Sequence, residues 1–146
     1  MRGIIGVMGG IVLYLSIAEA LETVLVIATA DPQPTDIVSY FAARNRAVVL
    51  GPKLAYNSLT ALLSGYMTAR VAGESEMYYG KMAAAVVTVE LTWRFLMGEN
   101  AALTPAWMRA FMVLTTGPAM LVGASLRGRA RVAQNADDAA SPQEPA

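Results

Sequence analysis

Four long apolar stretches dominate this chain of 146 residues and constrain its fold more than any other feature. They cover about residues 4–30, 47–69, 77–98 and 106–126. A helix needs about 20 mostly apolar residues to cross the roughly 30 Å hydrocarbon core of a bilayer, and each stretch has that length. Only 15% of the residues are charged, against about 25% in a soluble domain. The sequence therefore predicts an all-α, polytopic membrane protein that forms an antiparallel bundle of four transmembrane helices.

Prolines mark the predicted helix boundaries. Pro32 and Pro34 end the first helix, since proline cannot continue a regular helix. Thr104 and Pro105, a capping residue and a helix-starting proline, precede the fourth. Pro118, which follows a glycine, is expected to kink or weaken that fourth helix.

The first apolar stretch has one alternative interpretation, as a signal peptide. Ala28-Thr29-Ala30 fits a cleavage site of the A-x-A type. The apolar segment is too long for a signal peptide, however, and Glu19 and Glu22 interrupt it. We therefore expect an uncleaved helix.

Two further segments complete the predicted organisation. Residues 35–46 are expected to form a short interfacial helix capped by Thr35, because aromatic residues next to a span favour the membrane interface. Its apolar side consists of Ile37, Val38, Tyr40 and Phe41. Residues 1–131 then form the transmembrane domain. Residues 132–146, rich in Ala, Asp, Gln and Pro, have nothing to bury and are predicted to be a disordered cytoplasmic tail.

The distribution of basic residues predicts the orientation. With four spans, both termini lie on the same side of the membrane. That side carries Arg2, Arg70, Arg127, Arg129 and Arg131. The opposite side carries Arg44, Arg46 and Lys53 in its loops and span edges. Because basic residues favour the cytoplasm, we expect a multi-pass protein of the cell inner membrane with both termini cytoplasmic.

Small residues recur at a spacing of four in every predicted span. The repeats are Gly6 with Gly10, Ala61 with Gly65 and Ala69, Gly80 with Ala84, and Ala119 with Gly123. Small residues on one face let helix backbones approach closely in lipid. We expect these repeats to pack the bundle internally; a homodimer face and chance occurrence are the alternatives.

Ionisable residues inside the spans are the most informative feature for function, since charge is costly in hydrocarbon and normally faces the bundle interior. They lie at similar depth in the predicted outer half of the bundle. The predicted buried charge cluster consists of Glu19, Glu22, Lys53, Asn57, Glu90, Arg94 and Arg109. Glu90 and Arg94 have the favourable i,i+4 order. Burial requires that such charges neutralise one another.

The cluster has three interpretations. The first is an ion-pair lock that fixes the register of the helices. The second is a proton- or cation-coupled site, and the third is a docking site for a partner's transmembrane helix or a lipid headgroup.

Other chemistry is limited by what the sequence lacks. It has no Cys and no His, which excludes disulfides, thiolate zinc sites and triads built on His. Eleven basic and eleven acidic residues give no electrostatic footprint for nucleic acid. We therefore predict no cofactor, no metal and no enzymatic activity. The expected partners are the lipid bilayer and either another membrane protein or further copies of the chain.

Two resemblances bear on function. Residues 59–73 (LTALLSGYMTARVAG) and 113–131 (VLTTGPAMLVGASLRGRAR) resemble small four-helix bacterial membrane proteins of uncharacterised function. That resemblance implies a topology and not an activity. The leading expectation for the chain is a structural, accessory or unassigned role in the membrane. Residues 14–24 (YLSIAEALETV) are similar to the first helix of small multidrug resistance transporters. This second resemblance implies proton-coupled transport with Glu19 as the coupling carboxylate, although the other spans depart from that family's pattern.

Overall fold

A computed structural model describes residues 1–73, 75–98 and 103–140, and within them the chain forms five α-helices and no strand. The helices are α1 (Arg2–Thr29), α2 (Ile37–Arg44), α3 (Ala47–Ala72), α4 (Glu76–Met97) and α5 (Ala106–Ala140). The all-α prediction is confirmed. The four long helices coincide with the four predicted apolar stretches to within three residues at every end but one.

The exception is the C-terminal end of α5, which continues without a break to Ala140. The disorder predicted from residue 132 onward is therefore wrong for residues 132–140. Alanine has the highest intrinsic helix propensity, and this segment contains several alanines that extend the helix without needing a core. The proline at Pro118 does not end the helix either. Residues 141–146, the rest of the predicted tail, lie outside the described residues.

The short helix α2 begins with a capping box. The backbone N–H of Ser39 donates to the Asp36 carboxylate at 2.7 Å, and the Ser39 hydroxyl accepts from the Asp36 backbone N–H at 3.1 Å. Together these bonds satisfy two backbone donors at the helix start. Hydrogen bonding to Ser39 lowers the pKa of the Asp36 carboxyl below its ordinary value. The predicted helix is confirmed, but its cap is Asp36 rather than Thr35.

The central helix of the bundle is α3, which packs along α1 on one side and along α5 on the other. Helix α4 packs mainly on α5 and also contacts α3, whereas α1 and α4 meet along a looser seam. The core contains Tyr14, Val87, Met108 and Met120, all nearly inaccessible. Flexible methionine side chains fill the space between the helices here.

The small-residue repeats lie at helix contacts inside the bundle. Gly65 of α3 lies against the backbone of Met120 in α5, and Gly123 of α5 lies against the backbone of α3. On the other side of α3, the Ser64 hydroxyl donates to the carbonyl of Gly10 at 2.5 Å. The prediction that these repeats pack the bundle internally is confirmed.

Large apolar side chains cover the outside of all four long helices, while polar side chains of α3 lie inside. The exposed apolar residues include Val12 and Val24 of α1, Leu59 of α3, Val89 and Leu96 of α4, and Leu114 of α5. The buried polar residues of α3 are Lys53, Asn57, Thr60, Ser64 and Thr68. By length and hydropathy, two helices among the described residues could cross a membrane, α1 and the portion Ala106–Asp137 of α5.

Candidate functional site

A buried ion cluster is centred on Glu22 of α1. Its carboxylate contacts the ammonium of Lys53 on α3 and lies 2.6 Å from Nε of Arg44 on α2. The side chains of Glu22 and Lys53 are 6% and 3% exposed, so this pair is almost completely shielded from solvent. The Tyr40 hydroxyl donates a longer bond to the same carboxylate, at 3.5 Å. We call Glu22, Lys53 and Arg44 the floor cluster.

Helix α2 brings Arg44 to this carboxylate, which the sequence analysis missed because it counted Arg44 as a loop charge. The guanidinium lies over the ring of Phe41, 4.8 Å from its centroid, an arrangement that favours a cation. Burial, and then the negative charge of Glu22, raise the pKa of Tyr40 above its ordinary value. The sequence feature that could have predicted this contact is the spacing of Tyr40 and Arg44. They are four residues apart, so a short helix places both on one face.

A second cluster lies nearer the surface. Arg94 of α4 contacts Glu19 of α1 at 3.1 Å and Glu90, one turn earlier on α4, at 3.4 Å. The i,i+4 pair of Glu90 and Arg94 is therefore confirmed. However, the three side chains are 38–56% exposed. The prediction that these residues are buried is therefore wrong. Glu19 lies about 60° around α1 from Glu22, which turns it toward the outside. We call Glu19, Glu90 and Arg94 the rim cluster.

The remaining two residues of the predicted cluster do not form ion pairs among the described residues. Asn57 is buried; it accepts from the Tyr14 hydroxyl at 3.3 Å and donates to the sulfur of Met112 at 3.7 Å. Arg109 donates to the backbone carbonyl of Phe95 at 2.8 Å. That carbonyl lies in the last turn of α4, where a cation is favoured by the helix dipole. Among the described residues, Arg109 therefore pairs with a backbone carbonyl and not with one of the predicted acids.

The floor cluster and two members of the rim cluster, Glu19 and Arg94, meet in one cavity of about 300 Å³. It lies among the ends of α1, α3, α4 and α5 that the predicted topology assigns to the outer side of the membrane. Helix α2 lies beside it. Five residues of the predicted cluster line this cavity: Glu19, Glu22, Lys53, Asn57 and Arg94. Apolar side chains, among them Leu15, Phe41, Leu91 and Phe95, form the rest of its wall.

A separate charge cluster at the opposite end of the bundle was not predicted. Glu76 is buried at the start of α4. Its carboxylate lies 3.7 Å from Nε of Arg127 and 3.6 Å from Nη1 of Arg131, both on α5. Arg131 also donates to the carbonyl of Gly73. Because α5 extends beyond the predicted span, its arginines reach the α3–α4 turn and connect it to the bundle.

No group of three or more acidic side chains within residues 1–73, 75–98 and 103–140 is arranged to hold a metal ion. No protein-family model matches the chain, and no curated protein or solved structure matches it either. The geometry of the cavity and its two charge clusters therefore carries the functional interpretation.

Proposed function

We propose that this chain is a multi-pass integral membrane protein whose four long helices, α1, α3, α4 and α5, all cross the bilayer. The observation that supports this proposal is the apolar outer surface of the bundle, with the polar side chains of α3 turned to its interior. In water, extensive exposed apolar surface marks an interaction site or an aggregation hazard, whereas lipid solvates it. Polar side chains lower the mean hydropathy of α3, but five of them face the bundle interior, so the surface that α3 presents to lipid stays apolar.

Alkaline phosphatase fusions test the four-span topology and its orientation with both termini cytoplasmic. We expect fusions after Gln33 and Gly98 to be active, because they place the enzyme outside the inner membrane, and fusions after Gly73 and Gln134 to be inactive. The fusion after Gly73 is decisive for α3 and α4. If only α1 and α5 crossed the membrane, that fusion would be active. Reversed activities at all four positions would overturn the orientation.

Within that topology we assign the protein a non-enzymatic, structural or accessory role. In the floor cluster the Glu22 carboxylate of α1 pairs with basic side chains of α2 and α3, as expected of a lock that fixes helix register. The exposed apolar face of α4, which includes Val89, Trp93 and Leu96, is available to lipid, to another membrane protein or to a second copy of the chain. Affinity purification in mild detergent followed by mass spectrometry tests this role. A stoichiometric membrane partner supports it, and a protein recovered alone as a monomer counts against it.

A second candidate is a small proton-coupled transporter. The cavity favours this candidate because the carboxylates of Glu19 and Glu22 both line it. Coupling requires a carboxyl that exchanges protons near the working pH, whereas both carboxylates here have basic partners. Protein reconstituted in liposomes under a pH gradient separates the two candidates. Cation-driven proton release that disappears in Glu19→Gln would establish the transporter. A protein silent to a broad panel of cations supports the accessory role.

A further inference from the structure

The cavity between the two charge clusters has the size of a small-ligand site. Its volume of about 300 Å³ lies at the lower end of the range for ligand pockets. Its wall combines the apolar side chains of Leu15, Leu91 and Phe95 with a few convergent polar groups. That combination, an apolar wall with a small number of placed charges, is what specific small-molecule sites share.

Charge is separated by depth in this cavity. In the floor cluster one carboxylate, Glu22, faces two cations, which leaves an excess positive charge among side chains that are only 3–15% exposed. In the rim cluster two carboxylates share one cation, Arg94. Glu19 and Arg94 line the cavity, whereas Glu90 contacts Arg94 from outside it, so the charge of Glu19 is only partly compensated by the shared guanidinium. The ion pairs therefore do not neutralise each cluster separately, although the six groups together carry no net charge.

The rim cluster also marks where the cavity reaches the surface. Glu19 and Arg94 both line the cavity, and their side chains are 56% and 50% exposed. Their ion pair crosses the loose seam between α1 and α4. Access therefore runs through that seam, past the rim cluster, and ends at the floor cluster.

We propose that this cavity binds a small organic zwitterion of the amino-acid or dipeptide class. Its carboxylate lies against the excess cation of the floor cluster, its ammonium lies against the excess carboxylate of the rim cluster, and its side chain contacts Leu91 and Phe95. A ligand with only an anionic group leaves the charge of Glu19 unmatched, and one with only a cationic group meets two cations at the floor, Arg44 and the buried Lys53. The proposal goes beyond the accessory role.

Titration calorimetry on the full chain in mild detergent tests this site with four probes. Phenylalanine and phenylalanylglycine carry both charges, N-acetylphenylalanine carries only the carboxylate, and phenylalanine methyl ester carries only the ammonium. We expect at least one of the two zwitterions to bind, at least tenfold more tightly than either singly charged analogue. Equal affinity for a singly charged analogue, or no binding of either zwitterion at millimolar concentration, would overturn the proposal.

A matched pair of variants identifies the rim carboxylate. Glu19→Gln should weaken binding of the zwitterion about tenfold while leaving the affinity for N-acetylphenylalanine unchanged or higher. Asp31→Asn removes an equal charge from an exposed residue at the same end of the bundle, outside the cavity, and should change neither affinity. The same weakening in both variants would contradict a specific role for Glu19. Binding seen only in nanodiscs that contain phosphatidylserine, with none of the free zwitterions, would assign the site to a lipid headgroup instead.

Discussion

Replacing Gly65 by alanine is expected to disrupt the contact between α3 and α5 and to destabilise the protein severely. A Cβ atom at this position would lie 2.8 Å from Cα of Met120 and would overlap that residue's carbonyl oxygen. Backbone atoms cannot rotate away as a side chain can, so the two helices would have to separate. Overpacking in protein cores typically costs about 1–3 kcal/mol, and we expect Gly65→Ala to reach at least the upper part of that range. Gly123→Ala should behave alike, since its Cβ would lie 2.9 Å from the Tyr66 backbone nitrogen.

Gly51→Ala is the matched control, because it makes the same substitution on the same helix, α3. A Cβ at Gly51 would meet nothing within 4 Å. Within a helix, alanine is favoured over glycine by roughly 0.5–1 kcal/mol, so this variant should be as stable as the parent or slightly more so. Unfolding in mild detergent titrated with sodium dodecyl sulfate, followed by circular dichroism, measures the difference. Equal stabilities for Gly65→Ala and Gly51→Ala would show that α3 and α5 are less closely packed than described.

Helix positions could be predicted from the sequence because they depend on local signals. Apolar runs of sufficient length and the prolines after α1 set most of the boundaries. The small-residue repeats identified contact faces, since close backbone approach requires glycine at positions such as Gly65. The C-terminal part of α5 was missed because composition alone does not separate a polar tail from a helix held by intrinsic propensity.

The partners of each charge could not be predicted, because they depend on how the helices are rotated and on which loop folds back. Depth along the bundle placed Glu22 and Lys53 in one predicted cluster, and in the structure the two side chains are in contact. It could not show that α2 adds Arg44 to the same carboxylate, or that Glu19 turns outward to Arg94. Arg109 had a similar depth, yet within the described part of the chain it donates to a backbone carbonyl of α4. The predicted cluster thus became one buried group and one surface group, with a cavity between them that no sequence pattern indicated.

Neutralising the floor carboxylate by Glu22→Gln should be the most destabilising single charge substitution at this end of the bundle. Lys53 and Arg44 would lose their shared carboxylate, and the ammonium of Lys53, whose side chain is only 3% exposed, would stay buried without it. Removing one member of a fully buried ion pair costs about 3–5 kcal/mol, because the other charge stays behind uncompensated. Glu19→Gln is the matched control on the same helix. Its pair is half exposed, and exposed pairs contribute about 0–1 kcal/mol.

A second substitution separates the lost ion pair from other effects of Glu22→Gln. Adding Lys53→Met removes the buried ammonium and leaves an unbranched apolar side chain of similar length. Buried ion pairs can often be replaced by apolar residues without loss of stability, so the double variant should recover part of the unfolding free energy that Glu22→Gln loses. Recovery would establish that the uncompensated Lys53 charge is the source of the loss. If the two substitutions instead destabilise additively, or if Glu22→Gln costs no more than Glu19→Gln, the floor cluster is not a lock between α1 and α3.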